Sequence, residues 1–366
     1  MERKLVTVRE VLEVNEHPNA DALELLTIDG WQVVAKLGEF KQGDKCVYFE
    51  IDSFLPADDP RYEFLIRTGT KKAPDGKDRI RLKTIKLRKE LSQGLALPID
   101  QFPEVNGLET LEDDLSEVLD VIKYERPEPK TANASGNFPS FIPKTNEDRI
   151  QNCWGRLKRN NELTPFWPTL KMDGSSCTVF YTGMIMSKHW KGDTLDVTRE
   201  VHGEEENTKI GEIGVCSRNL QLKYDEDSHF WKAAFSSGVI DALKEHSQNI
   251  AIQGEVMGPG IQGNKENFVN YRFFVFGIYD INFGEYLTWD EVMDFCHTYN
   301  LETVLTMSDE PIQVFIEFES VKDILEYSDG PSINAKLREG IVWKSKDDGG
   351  LSFKAISNKW LMKTGD

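Results

Sequence analysis

The stretch TLKMDGSS, residues 169–176, sets an apolar run against an Asp-Gly turn, with one lysine at the junction. Asp173 and Gly174 follow Lys171, and the chain resumes as CTVFYT, residues 177–182, which reads as a strand. A free lysine has a pKa of about 10.4, so at neutral pH it is a cation with no lone pair to offer. If Lys171 does chemistry, groups brought from elsewhere in the chain must act on it. By itself Lys-x-Asp-Gly also fits an ordinary surface turn, so its neighbours have to be found.

The 366 residues are too many for one ordinary core and suit two domains, and 39% hydrophobic with 29% charged residues mark a soluble globular chain. No stretch approaches the length of a membrane span. The start, MERKLVTVREVLEV, alternates with charges where a signal peptide needs an apolar block, so an intracellular protein is expected. Five cysteines (Cys46, Cys153, Cys177, Cys216, Cys296) are odd in number and scattered without a CxxC pair, which fits neither a disulfide framework nor a zinc ribbon. The histidines show no HExxH spacing.

A net charge of -18 argues against nonspecific nucleic-acid binding by the whole surface. One stretch departs from it: residues 71–89, KKAPDGKDRIRLKTIKLRK, hold nine basic and two acidic residues.

Residues 1–125 read as short strands separated by Gly and Asp turns (KLVTVREVLEV, ALELLTIDG, GWQVVAKL, DKCVYFEI, DRIRLKTIKL), and five such strands predict a small barrel. In the last of them Arg79, Arg81 and Lys83 alternate with Ile80 and Leu82, which predicts a basic face opposite an apolar one. A basic stripe on a five-stranded barrel is how an OB fold tracks a nucleic-acid backbone; a solvated edge strand protected by charge is the plain alternative. Residues 126–144, RPEPKTANASGNFPSFIPK, have the Pro, Ser, Asn and Gly content of a linker. The rest, 145–366, mixes strands such as MIMSKHW, NIAIQGEVM and GIVWKS with a few helices, two of them announced by capping-box spacings at Thr288/Glu291 and Ser320/Asp323. Strands and helices do not alternate regularly, so the fold class is α+β: an N-terminal five-stranded OB-like barrel, then a mixed domain.

GPGIQG, residues 258–263, satisfies the GxGxxG pattern of a dinucleotide site. That pattern needs a helix directly afterwards to present its N-terminus to pyrophosphate, and NKENFVNYRFFVFGIYD has strand character instead. The Rossmann reading is rejected on that ground.

Around KMDGSS runs an ordered series: TNEDRIQN (145–152), SRN (217–219), QGE (253–255), FFVFGIYD (273–280), REGIVWK (338–344) and FKAISNKWLMK (353–363). In this order the stretches resemble the motifs of the covalent nucleotidyltransferases, most closely the ATP-dependent RNA ligases, over residues 145–363. A barrel placed ahead of the catalytic domain resembles the subfamily of RNA ligases built in that order. Capping guanylyltransferases and DNA ligases share the central motifs but usually carry their OB domain after the final lysine motif. A non-catalytic RNA-binding protein with a degenerate transferase domain is the remaining alternative; intact Lys171, Glu255, Glu339 and Lys354 speak against it.

The resemblance implies three nucleotidyl transfers. Lys171 attacks ATP to give lysyl-AMP and pyrophosphate, AMP passes to an RNA 5′-phosphate, and a 3′-hydroxyl displaces AMP to seal the strand, in the manner of RNA repair. It implies Asp173, Glu255 and Glu339 as oxygen ligands for Mg²⁺ or Mn²⁺ and Lys354 as the α-phosphate contact, with Lys344 or Lys359 assisting. Arg218 would meet the ribose and the substrate end, and Arg149 would grip the triphosphate. Phe276, in preference to Phe274, would stack on adenine. Arg79, Arg81 and Lys83 would bind RNA. Ile356 stands where some relatives carry a second lysine, which leaves that cation unassigned. A monomer acting on RNA ends and ATP, away from membranes, is expected.

Overall fold

The computed structural model describes residues 4–110, 113–125, 133–183, 186–191, 194–199 and 212–364, the 186–191 and 194–199 segments by backbone alone. The expected single strand DRIRLKTIKL is two: Asp78–Arg81 and Thr84–Leu87 pair with different partners, and Lys83 lies in the exposed break between them. The described residues up to Lys123 form twelve short strands instead of five long ones. They close over two apolar clusters, one holding Val6, Phe49, Leu55, Ile80 and Leu97, the other Leu26, Ile28, Trp31 and Val33.

Strand Asp78–Arg81 is covered on both faces. Ile80 is fully buried on one side, and Arg79 is only 1% exposed on the other. The covering segment comes from far along the chain: Leu115, Leu119 and Val121 join the core, and Ile122–Lys123 adds to the sheet beside Ser53–Pro56. Alternation therefore does not mark a solvent face here, because a sheet clad on both sides buries both sets of side chains.

Of the expected linker, residues 126–132 lie outside the described residues, and Ala134–Asn137 is a strand on the edge of a seven-stranded sheet. That sheet runs Ala134–Asn137, Leu220–Leu222, Glu212–Cys216, Ser175–Thr182, Ile250–Met257, Arg272–Asp280, Glu285–Tyr286. A second, four-stranded sheet runs Asp148–Arg149, Ser352–Ile356, Gly340–Ser345, Phe166–Lys171. The first two residues of MIMSKHW lie outside the described residues; from Met186 it is a strand.

Both capping boxes form. Thr288 starts helix Trp289–Thr298, and Ser320 starts helix Val321–Tyr327, each with the reciprocal bond to the residue three on. The glycine-rich 258–263 segment leads through a single turn at Gln262–Asn264 into strand Arg272–Asp280, without the helix a dinucleotide site needs.

The two domains are fastened together. Trp31 Nε1 donates to Asn152 Oδ1 at 2.9 Å, Asn152 Nδ2 donates to Glu50 Oε2 at 3.0 Å, and Leu91 packs with Ile356, Trp360 and Leu361. A side chain at Gly30 would meet Val321 at 2.4 Å, so glycine is what lets the two surfaces touch.

Candidate active site

TLKMDGSS crosses from one sheet to the other. Lys171 is the last residue of Phe166–Lys171 in the four-stranded sheet, opposite Gly340, and Ser175 is the first of Ser175–Thr182 in the seven-stranded sheet, opposite Val256. The lysine thus stands in the cleft between the sheets. Gly174 makes the crossing possible: a β-carbon there would lie 2.4 Å from Met257 Sδ and 2.5 Å from the Val256 carbonyl oxygen. Its own N–H donates to Glu255 Oε1 at 2.9 Å.

The cleft opens into a cavity of about 820 Å³. From the motif series, Lys171, Asp173, Arg218, Glu255, Phe276, Glu339, Lys344 and Lys354 all line it. Lys171 Nζ lies 2.8 Å from Glu339 Oε2, the lysine side chain 26% and the glutamate 14% exposed. Desolvation pulls the Lys171 pKa down, and the charges of Glu339 and Glu255 more than reverse it, holding the ammonium above its ordinary value. Desolvation pushes the Glu255 carboxyl up to about 8, with Lys171 opposing.

Arg218 sits with Asn219 at the tip of the tight turn between Glu212–Cys216 and Leu220–Leu222, closed by Ser217 N–H to the Leu220 carbonyl at 2.9 Å. Phe276 faces the cavity, whereas Phe274 is buried against Phe268. Lys344 and Phe276 also wall a second, smaller cavity of about 320 Å³. Burial lowers the Lys344 pKa, opposed by Glu147.

Three expectations change. Arg79 does not present itself to a ligand: its Nη2 is 2.7 Å from Asp75 and 2.8 Å from Asp120, and its Nη1 reaches the Phe54 and Asp120 carbonyls. It is a structural clamp on the covering segment, and the basic face Arg79, Arg81, Lys83 does not exist as one surface. Arg149 does not line the cavity; its guanidinium lies 5.7 Å from the Trp31 ring, at the domain seam.

The third concerns the metal. Among the described residues no three His, Cys, Asp or Glu side chains are gathered for a metal ion, and the Asp173 carboxylate is paired with Lys265 Nζ at 2.5 Å. Glu255 and Glu339, both against Lys171, still fit a hard cation of the Mg²⁺ type, which takes one or two carboxylates and completes its shell with water and phosphate oxygens.

Several lining residues had no role assigned from the sequence. Glu147 stands among Lys354, Lys344 and Lys171; desolvation raises its pKa, and those cations more than reverse it, holding it below the ordinary value. Its place two residues before Arg149 in TNEDRIQN was the available signal. His229 and Phe230, with ring centroids 4.2 Å apart, also line the cavity, and burial keeps His229 below its usual pKa. Asp52, Arg81, Lys123 and Tyr124 enter from the barrel. Arg81 bonds Asp52 at 2.6 Å and lies 4.3 Å from the Tyr124 ring. Nothing local in the sequence marks Asp52, Lys123 or Tyr124, since domain packing alone brings them in; Arg81, expected on an RNA-binding face of the barrel, lines this cavity instead.

Comparison with known proteins agrees with this architecture. An OB-fold profile matches residues 5–99, and an RNA ligase profile matches residues 164–356. Among solved structures, Naegleria gruberi RNA ligase with PPi is 37% identical, covering 100% of both chains at a TM-score of 0.80. A lysine-to-methionine mutant of that ligase with AMP and Mn matches at 36% identity, 100% of both chains and a TM-score of 0.82. A lysine-to-alanine mutant with ATP and Mn matches at 36%, 99% of both chains and 0.81. The search of curated proteins gives no match.

Proposed function

Since this chain belongs to the RNA ligase family and is an ATP-dependent RNA ligase, we propose that Lys171 is the residue that carries AMP. The observation that supports this most directly is the amine of Lys171 at the cavity wall, 2.8 Å from Glu339 and beside Glu255, with Lys344, Lys354 and Phe276 on the same cavity.

In the first step the Lys171 amine, having lost a proton, attacks the α-phosphorus of ATP; an N–P bond forms, the bond to the β-phosphate oxygen breaks, and pyrophosphate departs. An RNA 5′-phosphate oxygen then attacks the same phosphorus and frees the lysine. Finally a 3′-hydroxyl attacks the activated 5′-phosphorus, and AMP leaves as the strand closes. Each step is in-line displacement at phosphorus, helped by positioning and fixed charge more than by covalent chemistry from other residues.

The chain's own groups divide that work. Glu339 accepts from the Lys171 ammonium and aims it into the cavity. Lys344 and Lys354 place positive charge where the phosphates pass, and Glu147 keeps that charge balanced between them. Phe276 offers a ring face to the adenine, and Arg218 meets the ribose and RNA end. Arg149, against Trp31 at the domain seam, takes no part in holding the phosphates in this arrangement. Glu255 and Glu339, joined by Asp173, would hold Mg²⁺ or Mn²⁺, which supplies neutralisation of phosphate charge and a field that disfavours the lysine's proton.

The RNA-binding surface is better sought on the Thr84–Leu87/Glu90–Gln93 hairpin and its approach. Lys83, Lys86, Arg88 and Lys89 are exposed there, and none has an ion pair among the described residues. The hairpin packs beside the C-terminal helix Asn358–Thr364, which carries exposed Lys363 and follows Lys354 directly in the chain. Phosphate contacts of that kind hold RNA without reading sequence. RNA repair inside the cell, by a monomer, fits a chain with five free buried cysteines. Among the described residues no helix is long and apolar enough to cross a membrane.

The test is incubation with Mg²⁺ and ATP or GTP labelled at the α-phosphate, beside Lys171→Ala, followed by a denaturing gel. Label from ATP on the wild-type chain and absent from Lys171→Ala is expected. Label from GTP alone would favour a capping-type guanylyltransferase, and no label at all would remove Lys171 from this role.

A further inference from the structure

Asp173 belongs to the stretch that carries Lys171, yet its carboxylate is paired with a residue outside the motif series. Lys265 Nζ lies 2.5 Å from Asp173 Oδ2 and 4.8 Å from the ring of Trp360, which is only 5% exposed. The ammonium is thus held between a carboxylate on one sheet crossing and an aromatic face on the C-terminal helix.

The loop that carries Lys265 is tightly turned and tied by side-chain hydrogen bonds. Backbone φ is positive at Gly260, Gln262, Gly263, Asn264 and Asn267, a run that fixes a tight hook. The Asn264 side chain bonds both the N–H and the carbonyl of Phe268, at 3.1 and 2.9 Å. Glu266, 5% exposed, accepts from the N–H groups of Asn334 and Ala335 at 2.6 and 3.0 Å, tying the loop to the segment that leads into Glu339. An ordinary surface pair joins two flexible side chains on unconstrained backbone; here the backbone beneath the lysine is pinned on both sides.

We propose that Lys265 is a positioning residue that competes with a divalent cation for the Asp173 carboxylate, so that Asp173 takes part in cation binding only when Lys265 is displaced. The proposal rests on the ligase reading of the cavity, in which Asp173 stands beside the carboxylates that hold the cation. Carboxylate oxygens engaged by an ammonium have fewer lone pairs for a metal, so breaking the pair is a cost that cation binding has to meet. Because Lys265 is 43% exposed and Asp173 24%, that cost is modest and the exchange is reversible.

The experiment titrates Mn²⁺ alone into the full chain, without nucleotide, and reads unbound Mn²⁺ by electron paramagnetic resonance. Lys265→Met is expected to lower the apparent Kd for Mn²⁺ by about two- to fivefold, and Lys265→Arg, which keeps the charge, to stay near the wild type. In an Asp173→Asn background Lys265→Met should shift nothing, since the shared carboxylate charge is gone. An unchanged or raised Kd in Lys265→Met overturns the competition. So does an equal shift in the Asp173→Asn background, which would reduce Lys265 to general charge. Lysyl-AMP formation by the wild type, measured in parallel with labelled ATP, separates the two readings: with it intact and Kd unmoved, only the role of Lys265 falls; with it absent and Kd shifted, the competition stands and the ligase roles fall.

Discussion

Arg79 in the barrel and Lys171 in the cleft are both cations on strands, both flanked by carboxylates, and they end in opposite states. Arg79 is 1% exposed, with Asp75, Asp120 and two carbonyl oxygens around its fork, and burial keeps its remaining Nε–H out of a ligand's reach. Lys171 has one short bond, to Glu339, and its amine opens on a cavity. The difference teaches that partner count and access decide what a charged residue does, and that a basic pattern on a strand decides neither.

The largest effect should come from the cleft side. Glu339→Ala removes the carboxylate that accepts from the Lys171 ammonium, and lysyl-AMP formation should fall by about 100-fold or more while the fold persists. Single-turnover labelling checks it; near wild-type rates would sever Lys171 from Glu339 in the mechanism.

On the barrel side Arg79→Met should act on stability instead. Loss of charged hydrogen bonds at a buried position is expected to cost about 2–3 kcal/mol in urea unfolding, with labelling of Lys171 preserved in the protein that remains folded. Wild-type stability together with lost sealing would return Arg79 to the RNA surface and break the contrast.

The exposed hairpin is the third case, cations with neither partner nor cavity. Lys83→Ala, Lys86→Ala and Arg88→Ala together should weaken binding of nicked duplex RNA, flattening the log–log salt dependence by about 0.9 for each phosphate no longer neutralised, and leave lysine adenylylation unchanged. An unaltered salt slope would take the hairpin out of RNA binding.

The smallest effect concerns Glu147, whose folded pKa lies below 4.5 because Lys354 and Lys344 outweigh desolvation. A depressed carboxyl pKa stabilises the fold fully above the unfolded value and loses that contribution as pH falls through the folded one. Wild type should therefore lose thermal stability more steeply than Glu147→Gln below about pH 4.5. Parallel curves would show Glu147 uncoupled from the two lysines. The same variant lets burial act unopposed on Lys344, so the alkaline limb of the labelling rate should move to lower pH.

Much of the cleft was legible because its chemistry is local. KMDGSS, QGE, REGIVWK and FKAIS each declare charge beside strand residues, and all four converge on one cavity. Capping boxes at Thr288 and Ser320 were equally local, and both formed. What failed to read through was any feature set by distant chain: the burial of Arg79 by the 115–123 segment, the turning of Asp173 to Lys265, the approach of Tyr124 and Arg81, and the strand built by Ala134–Asn137 within a proline-rich stretch.

By itself the sequence determined the α+β class and the order of barrel before ligase domain, because backbone periodicity is a property of short segments; the groups proposed for nucleotidyl transfer were named through the resemblance of its ordered motifs. Tertiary structure alone decided which of those charges is satisfied and which is left to act. Satisfaction depends on the partners that long-range packing delivers, and 152 separates from 31, 339 from 171 and 120 from 79 by lengths over which no local pattern carries information.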